Sequence, residues 1–114
     1  TVMDLVTSDA DRVLLWVGQP PMREEGFDQR MQLLNNLYQV EAAERDRVQY
    51  VDLRGLFTDS SGNYSRYLPD SAGKLVDVRL TDGVHLSHWG REWLSALLLR
   101  ELRRSPNVDE LWVR

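Results

Sequence analysis

Cysteine is missing altogether from the sequence of 114 residues, which excludes disulfide bridges, thiolate nucleophiles and cysteine–zinc sites. The compartment stays open, because cytoplasmic and periplasmic proteins both manage without it. No stretch approaches the about 20 apolar residues that a membrane-spanning helix needs, and the leucine run Leu97-Leu98-Leu99 falls far short. A concentrated basic face is missing too. The formal charge is −4 and the arginines are scattered, except for Arg100, Arg103 and Arg104. Nucleic acid is therefore not an expected partner, since neutralising phosphates requires clustered cations. Those three arginines read instead as the complement to a helix C-terminus. Thr1-Val2-Met3-Asp4-Leu5-Val6 has neither the basic region nor the apolar core of a secretion signal, and methionine does not come first. The sequence is thus expected to be a processed or truncated piece of a longer one. No repeat and no low-complexity segment is found, and no pattern calls for a cofactor.

What is present is ordinary for one soluble domain, with 42% apolar and 28% charged residues. Val2, Met3, Leu5 and Val6 form a pattern too short to separate helix from strand by period; it is read as the end of a helix, broken at Ser8-Asp9-Ala10-Asp11. Val13-Leu14-Leu15-Trp16-Val17-Gly18 has the length and β-rich composition of a strand covered on both faces. Gln19-Pro20-Pro21-Met22 then ends it sharply. In open α/β sheets, loops leaving the carboxyl ends of strands bind ligands, so Pro20, Pro21 and Met22 are candidate substrate contacts.

From Gly26 to Arg45, Phe27, Met31, Leu34 and Tyr38 recur at helical spacing, with Leu37 and Ala42 widening the stripe. Met31 and Tyr38 are read as core. Val48 to Leu53 is a second short strand, and the order strand, helix, strand argues for a right-handed parallel crossover. A polar loop, Thr58 to Asn63, follows. Tyr64 to Leu68 and Leu75 to Leu80 flank the turn-rich Pro69-Asp70-Ser71-Ala72-Gly73, as in a β-hairpin, with Val76, Val78 and Leu80 alternating onto one face. Ser87 is placed to cap a final helix running to about Arg104, which packs through Leu94, Leu97, Leu98 and Leu102. Ser105-Pro106-Asn107 ends it. Val108 to Arg114 reads either as an edge strand or as a loose tail.

The chemistry concentrates in Asp82-Gly83-Val84-His85, just before that last helix. Histidine accepts and returns a proton near neutral pH, and a carboxylate fixes its tautomer and stabilises its charged form. Asp-Gly is equally a good turn dipeptide, so spacing alone leaves a structural reading open. His88 with His85 and Asp82 would suffice in number for a zinc site. It falls in the first turn of the helix, however, with nothing to turn it towards His85, and no metal is expected. Trp89 and Trp93 are read as packing in preference to an acyl pocket.

The run Asp82-Gly83-Val84-His85-Leu86, followed by Ser87 and Gly90, resembles the Asp-x-x-His block near the carboxyl end of SGNH hydrolases, the GDSL-type esterases and lipases. Val13 to Met22, Tyr50-Val51-Asp52 and Tyr64-Ser65-Arg66-Tyr67-Leu68-Pro69 are similar to a bacterial, largely uncharacterised subgroup of that superfamily. The resemblance implies that His85 is the general base of a serine nucleophile and that Asp82 orients it. It also implies substrates that are esters or O-acylated small molecules, lipids or sugars, and an extracytoplasmic location, since such relatives are often exported. The superfamily's Gly-Asp-Ser block and its glycine- and asparagine-bearing oxyanion blocks are not found. Ser60-Ser61-Gly62 lacks the strand-to-helix elbow that exposes a nucleophile, and Asn35, Asn36 and Asn63 lack the oxyanion context.

The implied fold is α/β, a three-layer α/β/α flavodoxin-like arrangement. Residues 1–114 would supply the C-terminal half of its single domain, without the nucleophile. A half-domain leaves a sheet edge that needs cover, so the expected partners are a missing N-terminal segment, a partner chain or a second copy of this one. Two other classes fit the same residues: a catalytically inert binding or structural module, and an interaction domain whose partner covers the edge.

Overall fold

A computed structural model describes residues 1–9 and 12–104. Helix α1 (Val2–Thr7) begins at a reciprocal cap, in which the Thr1 hydroxyl accepts from the Asp4 amide and the Asp4 carboxylate accepts from the amine of Thr1. Strand β1 (Leu14–Val17) and strand β2 (Val48–Val51) pair in parallel, Leu14 opposite Val48 and Val17 opposite Val51. Helix α2 (Glu25–Ala43) connects them. The expected strand–helix–strand unit is therefore present, and the ladder runs one step past β1, where the Gly18 amide donates to the Val51 carbonyl at 3.0 Å.

A one-turn helix α3 (Arg54–Phe57) follows β2 directly. The hairpin is formed by β3 (Tyr67–Pro69) and β4 (Leu75–Asp77), antiparallel with Leu68 opposite Val76. Helix α4 (His88–Arg104) closes the described chain. The Ser87 hydroxyl accepts from the Gly90 amide at 3.1 Å and donates to the Asp77 carbonyl at 2.7 Å, so the cap also fastens α4 to the hairpin. The described residues form a compact mixed α/β domain with one short parallel and one short antiparallel sheet. The expected break after α1 lies partly, and the stretch from Val108 to Arg114 wholly, outside the described residues.

Two apolar clusters hold these elements. Leu53, Phe57, Leu68 and Val78 are buried together, with Trp93, Leu94 and Leu97 of α4 packed against them. Trp93 stacks on Phe57 with ring centroids 6.3 Å apart, as the packing reading expects, whereas Trp89 is 58% exposed and departs from it. Met3, Ala42 and Val48 form the second cluster, bordered by Leu14, Trp16 and Tyr50. Tyr38 meets Trp16 edge-on at 5.1 Å. Arg45 ties α2 to α1 through Asp4, at 2.7 Å, and through Glu41.

Two stripe assignments need correction. Leu37 is 63% exposed, because the buried face of α2 runs through Asn35 and Ala42, and position 37 points two residues around from Asn35. Leu80 is 45% exposed. Strand β4 ends at Asp77, and the backbone beyond it turns to meet Leu86 in an isolated bridge at Arg79, so the two-residue alternation is lost before Leu80.

Gly90 is the point at which α4 approaches the backbone just past β4. A Cβ there would lie 2.2 Å from the Val78 carbonyl oxygen, which already accepts the Ser87 amide. Gly90→Ala is expected to destabilise the domain by about 1–3 kcal/mol, as overpacking against fixed backbone does. Gly55→Ala, whose Cβ would meet only the Asp52 carboxylate at 3.6 Å, is expected to be neutral or stabilising. Urea unfolding of the two variants checks the ordering, and equal midpoints would remove this account of helix docking.

Candidate active site

Asp82 and His85 are brought together by a turn that the carboxylate itself builds. Oδ1 of Asp82 accepts from the Val84 amide at 2.9 Å and the His85 amide at 3.0 Å. Gly83 supplies the positive φ of 74° that lets the backbone double back. Oδ2 is left facing the ring and meets Nδ1 of His85 at 2.5 Å. Hydrogen bonding from His85, then from the two amides, holds the Asp82 carboxyl well below the usual carboxylate range. An ionised carboxylate only accepts, so the proton of this contact sits on Nδ1, which in the neutral imidazole leaves the lone pair on Nε2. The His85 side chain is 72% exposed, and Nε2 has no hydrogen-bond partner among the described residues.

Beneath the turn lies a side chain that the sequence reading passed over. Arg79 is 0% exposed. Its guanidinium donates to the Pro21 carbonyl at 2.6 Å and the Val84 carbonyl at 2.7 Å, and rests against the Met22 sulfur and the Tyr64 ring. The loop after β1 is thereby joined to the histidine turn. Burial pushes the pKa of Arg79 down, opposed by the electrostatic influence of Tyr64, Asp82 and Asp28. The available signal was a lone arginine inside the alternating run Val76-Asp77-Val78-Arg79-Leu80.

The same loop is fixed from its other side. Pro20 and Pro21 are buried, whereas Met22 is buried but borders a cavity of about 590 Å³. The Met22 amide donates to Asp28 of α2 at 2.8 Å, and Asp28 pairs with Arg54 at 2.6 Å. Burial pushes the Asp28 carboxyl up, but the bonds from Arg54, the Met22 amide and Gln32 outweigh it and hold the group low. Asn35 exchanges two hydrogen bonds with the backbone of Gln19, at 2.7 and 3.0 Å, as a neighbouring strand would. Its role is to anchor the loop. Arg23 completes the junction, with its amide donating to the Gly83 carbonyl and its side chain to the Thr81 carbonyl.

His88 stands apart from this constellation, 4.0 Å from Glu92 and edge-on to Trp89. Among the described residues no three histidine, aspartate or glutamate side chains are grouped to hold a metal ion. No described serine hydrogen-bonds His85; Ser87, two residues away, is occupied by the α4 cap. No helix of the described chain is long and apolar enough to cross a membrane.

The chain belongs to the family described as "Protein of unknown function (DUF459)", whose model matches residues 1–101. No curated protein matches it.

Two outcomes test this geometry. Arg79→Met strands the Pro21 and Val84 carbonyls without donors, and is expected to cost about 2–5 kcal/mol in a urea titration; a change below 0.5 kcal/mol would show that the clamp carries no weight. Because the folded pKa of Asp82 is depressed, its contribution to stability is fully present above the ordinary carboxylate pKa of 3.8 and fades as pH falls below that value towards the folded one. In His85→Ala the largest cause of the depression is gone, so the carbon-13 titration midpoint of Asp82 should rise towards 3.8. An unmoved midpoint would refute the ring contact.

Proposed function

We propose that this chain is the base-bearing, C-terminal part of a serine-dependent ester hydrolase or O-acyl transferase of the SGNH type, built on a three-layer α/β/α flavodoxin-like fold. The observation that carries the reading is the 2.5 Å contact between the Asp82 carboxylate and Nδ1 of His85. It leaves Nε2 open to solvent on the loop that starts α4. The likeness of the Asp-x-x-His block to that superfamily agrees with it, and so does the packing of the loop after β1 beside the turn.

In this mechanism Nε2 of His85 takes the proton from a serine hydroxyl as its oxygen attacks the ester carbonyl. Asp82 keeps the proton on Nδ1 and stabilises the imidazolium that forms. The imidazolium then gives its new proton to the departing alcohol, leaving an acyl-serine. Water or an acceptor hydroxyl, deprotonated in turn by His85, then takes the acyl group, and the imidazolium returns that proton to the departing serine oxygen. The serine and the oxyanion donors come from outside these residues, supplied by a preceding segment or a partner chain.

The test uses the chain together with that nucleophile-bearing segment and a p-nitrophenyl acyl ester. His85→Ala is expected to lower kcat/KM by about 10²–10⁴-fold, and His88→Ala to leave it within about twofold, as expected for a surface residue outside the site. Equal activity of both variants and the parent would eliminate the reading. Ester turnover by residues 1–114 alone would place a nucleophile within them.

A further inference from the structure

The cavity of about 590 Å³ beside the histidine turn is of the size that small-molecule sites occupy. Arg23 forms one wall and belongs to both features. Its side chain donates to the Thr81 carbonyl at 2.9 Å and lies so close to Gly83 that a Cβ there would meet Arg23 Cβ at 2.8 Å. The space therefore begins one side chain away from the Asp82–His85 turn. Its other walls come from α2, from Arg54 and from residues 62–64.

The lining selects a ligand chemistry by what it balances. Arg23 and Arg54 are matched by Glu25 and Asp28, and Arg54 is already bonded to Asp28. A phosphate or carboxylate ligand would find no excess of positive charge. A hydrocarbon chain would leave the amides of Gln29, Gln32 and Asn63 buried against it without partners. Among the described residues the side-chain amides of Gln29 and Asn63 have no partner, and Gln32 uses only its Nε2, donating to Asp28 at 3.0 Å. Amides offer donors and acceptors side by side, which is what a hydroxyl, itself donor and acceptor, requires. Tyr64, which also borders the cavity, packs its ring against Arg79.

We propose that this cavity binds a neutral, hydroxyl-rich group of the carbohydrate or polyol class. Its assignment as the alcohol side of the ester, beside His85, rests on the hydrolase reading. Under that reading the sugar hydroxyl that carries the acyl group is the leaving group reprotonated by Nε2, and the remaining hydroxyls hold the ring against the α2 amides.

Binding and chemistry are separated by titrating nitrogen-15-labelled chain with N-acetylglucosamine, methyl β-glucoside and cellobiose, with inorganic phosphate and octanoate as competing chemistries. At least one of the three sugars is expected to give saturable shifts of the Gln29 and Asn63 side-chain amides. Gln29→Leu and Asn63→Leu, both at exposed positions, should each weaken that binding about tenfold, as loss of a hydrogen-bonding pair does. His85→Ala should still give saturable sugar shifts at Gln29 and Asn63, so a failure of ester cleavage leaves this result standing, and a failure of sugar binding leaves the histidine test standing. Shifts from phosphate or octanoate alone, saturable shifts confined to other residues, or no response to any of the three sugars would overturn the proposal.

Discussion

A buried cation without a carboxylate in contact is an expensive thing to fold around, and Arg79 is one. Its guanidinium spends two donors on backbone carbonyls, Pro21 and Val84, that are far apart in sequence. A third contact, with the Tyr64 ring at 4.9 Å, brings in the loop before the hairpin. Three segments with no regular structure in common are thereby held against one rigid plane. Carbonyl oxygens serve here because their dipoles stabilise the charge without neutralising it, and the nearby Asp82 carboxylate stays committed to the histidine ring.

The rest of the site follows the same rule, in which side chains stand in for missing ladders. Asn35 satisfies both backbone groups of Gln19 just past the end of β1. Asp28 takes the Met22 amide and holds Arg54 at the start of α3. Ser87 joins the hairpin to α4 while capping it. Each polar group is local in effect, but together they fix the loop after β1 and the histidine turn to the apolar core around Phe57 and Val78.

The parts of this arrangement legible in the sequence are those with periodicity or strong turn chemistry. Helices α2 and α4, the parallel pair, the hairpin and the Asp82–His85 turn all announced themselves, because amphipathic stripes, β-rich runs and Asp-Gly dipeptides act over a few neighbouring residues. Arg79 did not, since its partners lie 58 positions back at Pro21 and five ahead at Val84. Asn35 was weighed only as an oxyanion group, for a similar reason: its anchoring of Gln19 depends on a strand end that the helix reaches only in three dimensions. Leu37 was misplaced because an apolar residue at the margin of a stripe is assigned by a single step of rotation. The α3 turn, only four residues long, is below the length at which a period can be seen.

The turn at Asp82 has a consequence for which acid can occupy that position. One carboxylate oxygen closes short rings with the amides two and three residues ahead, and the other meets the imidazole. Both tasks are set by the reach of a single methylene. Glutamate carries the same charge, but its extra carbon enlarges those rings and swings the second oxygen off the histidine. Asparagine keeps the reach but turns one of the two acceptors into a donor. The position is thus specified by side-chain length and acceptor count together, and a charge-preserving exchange there is no more conservative than a neutral one.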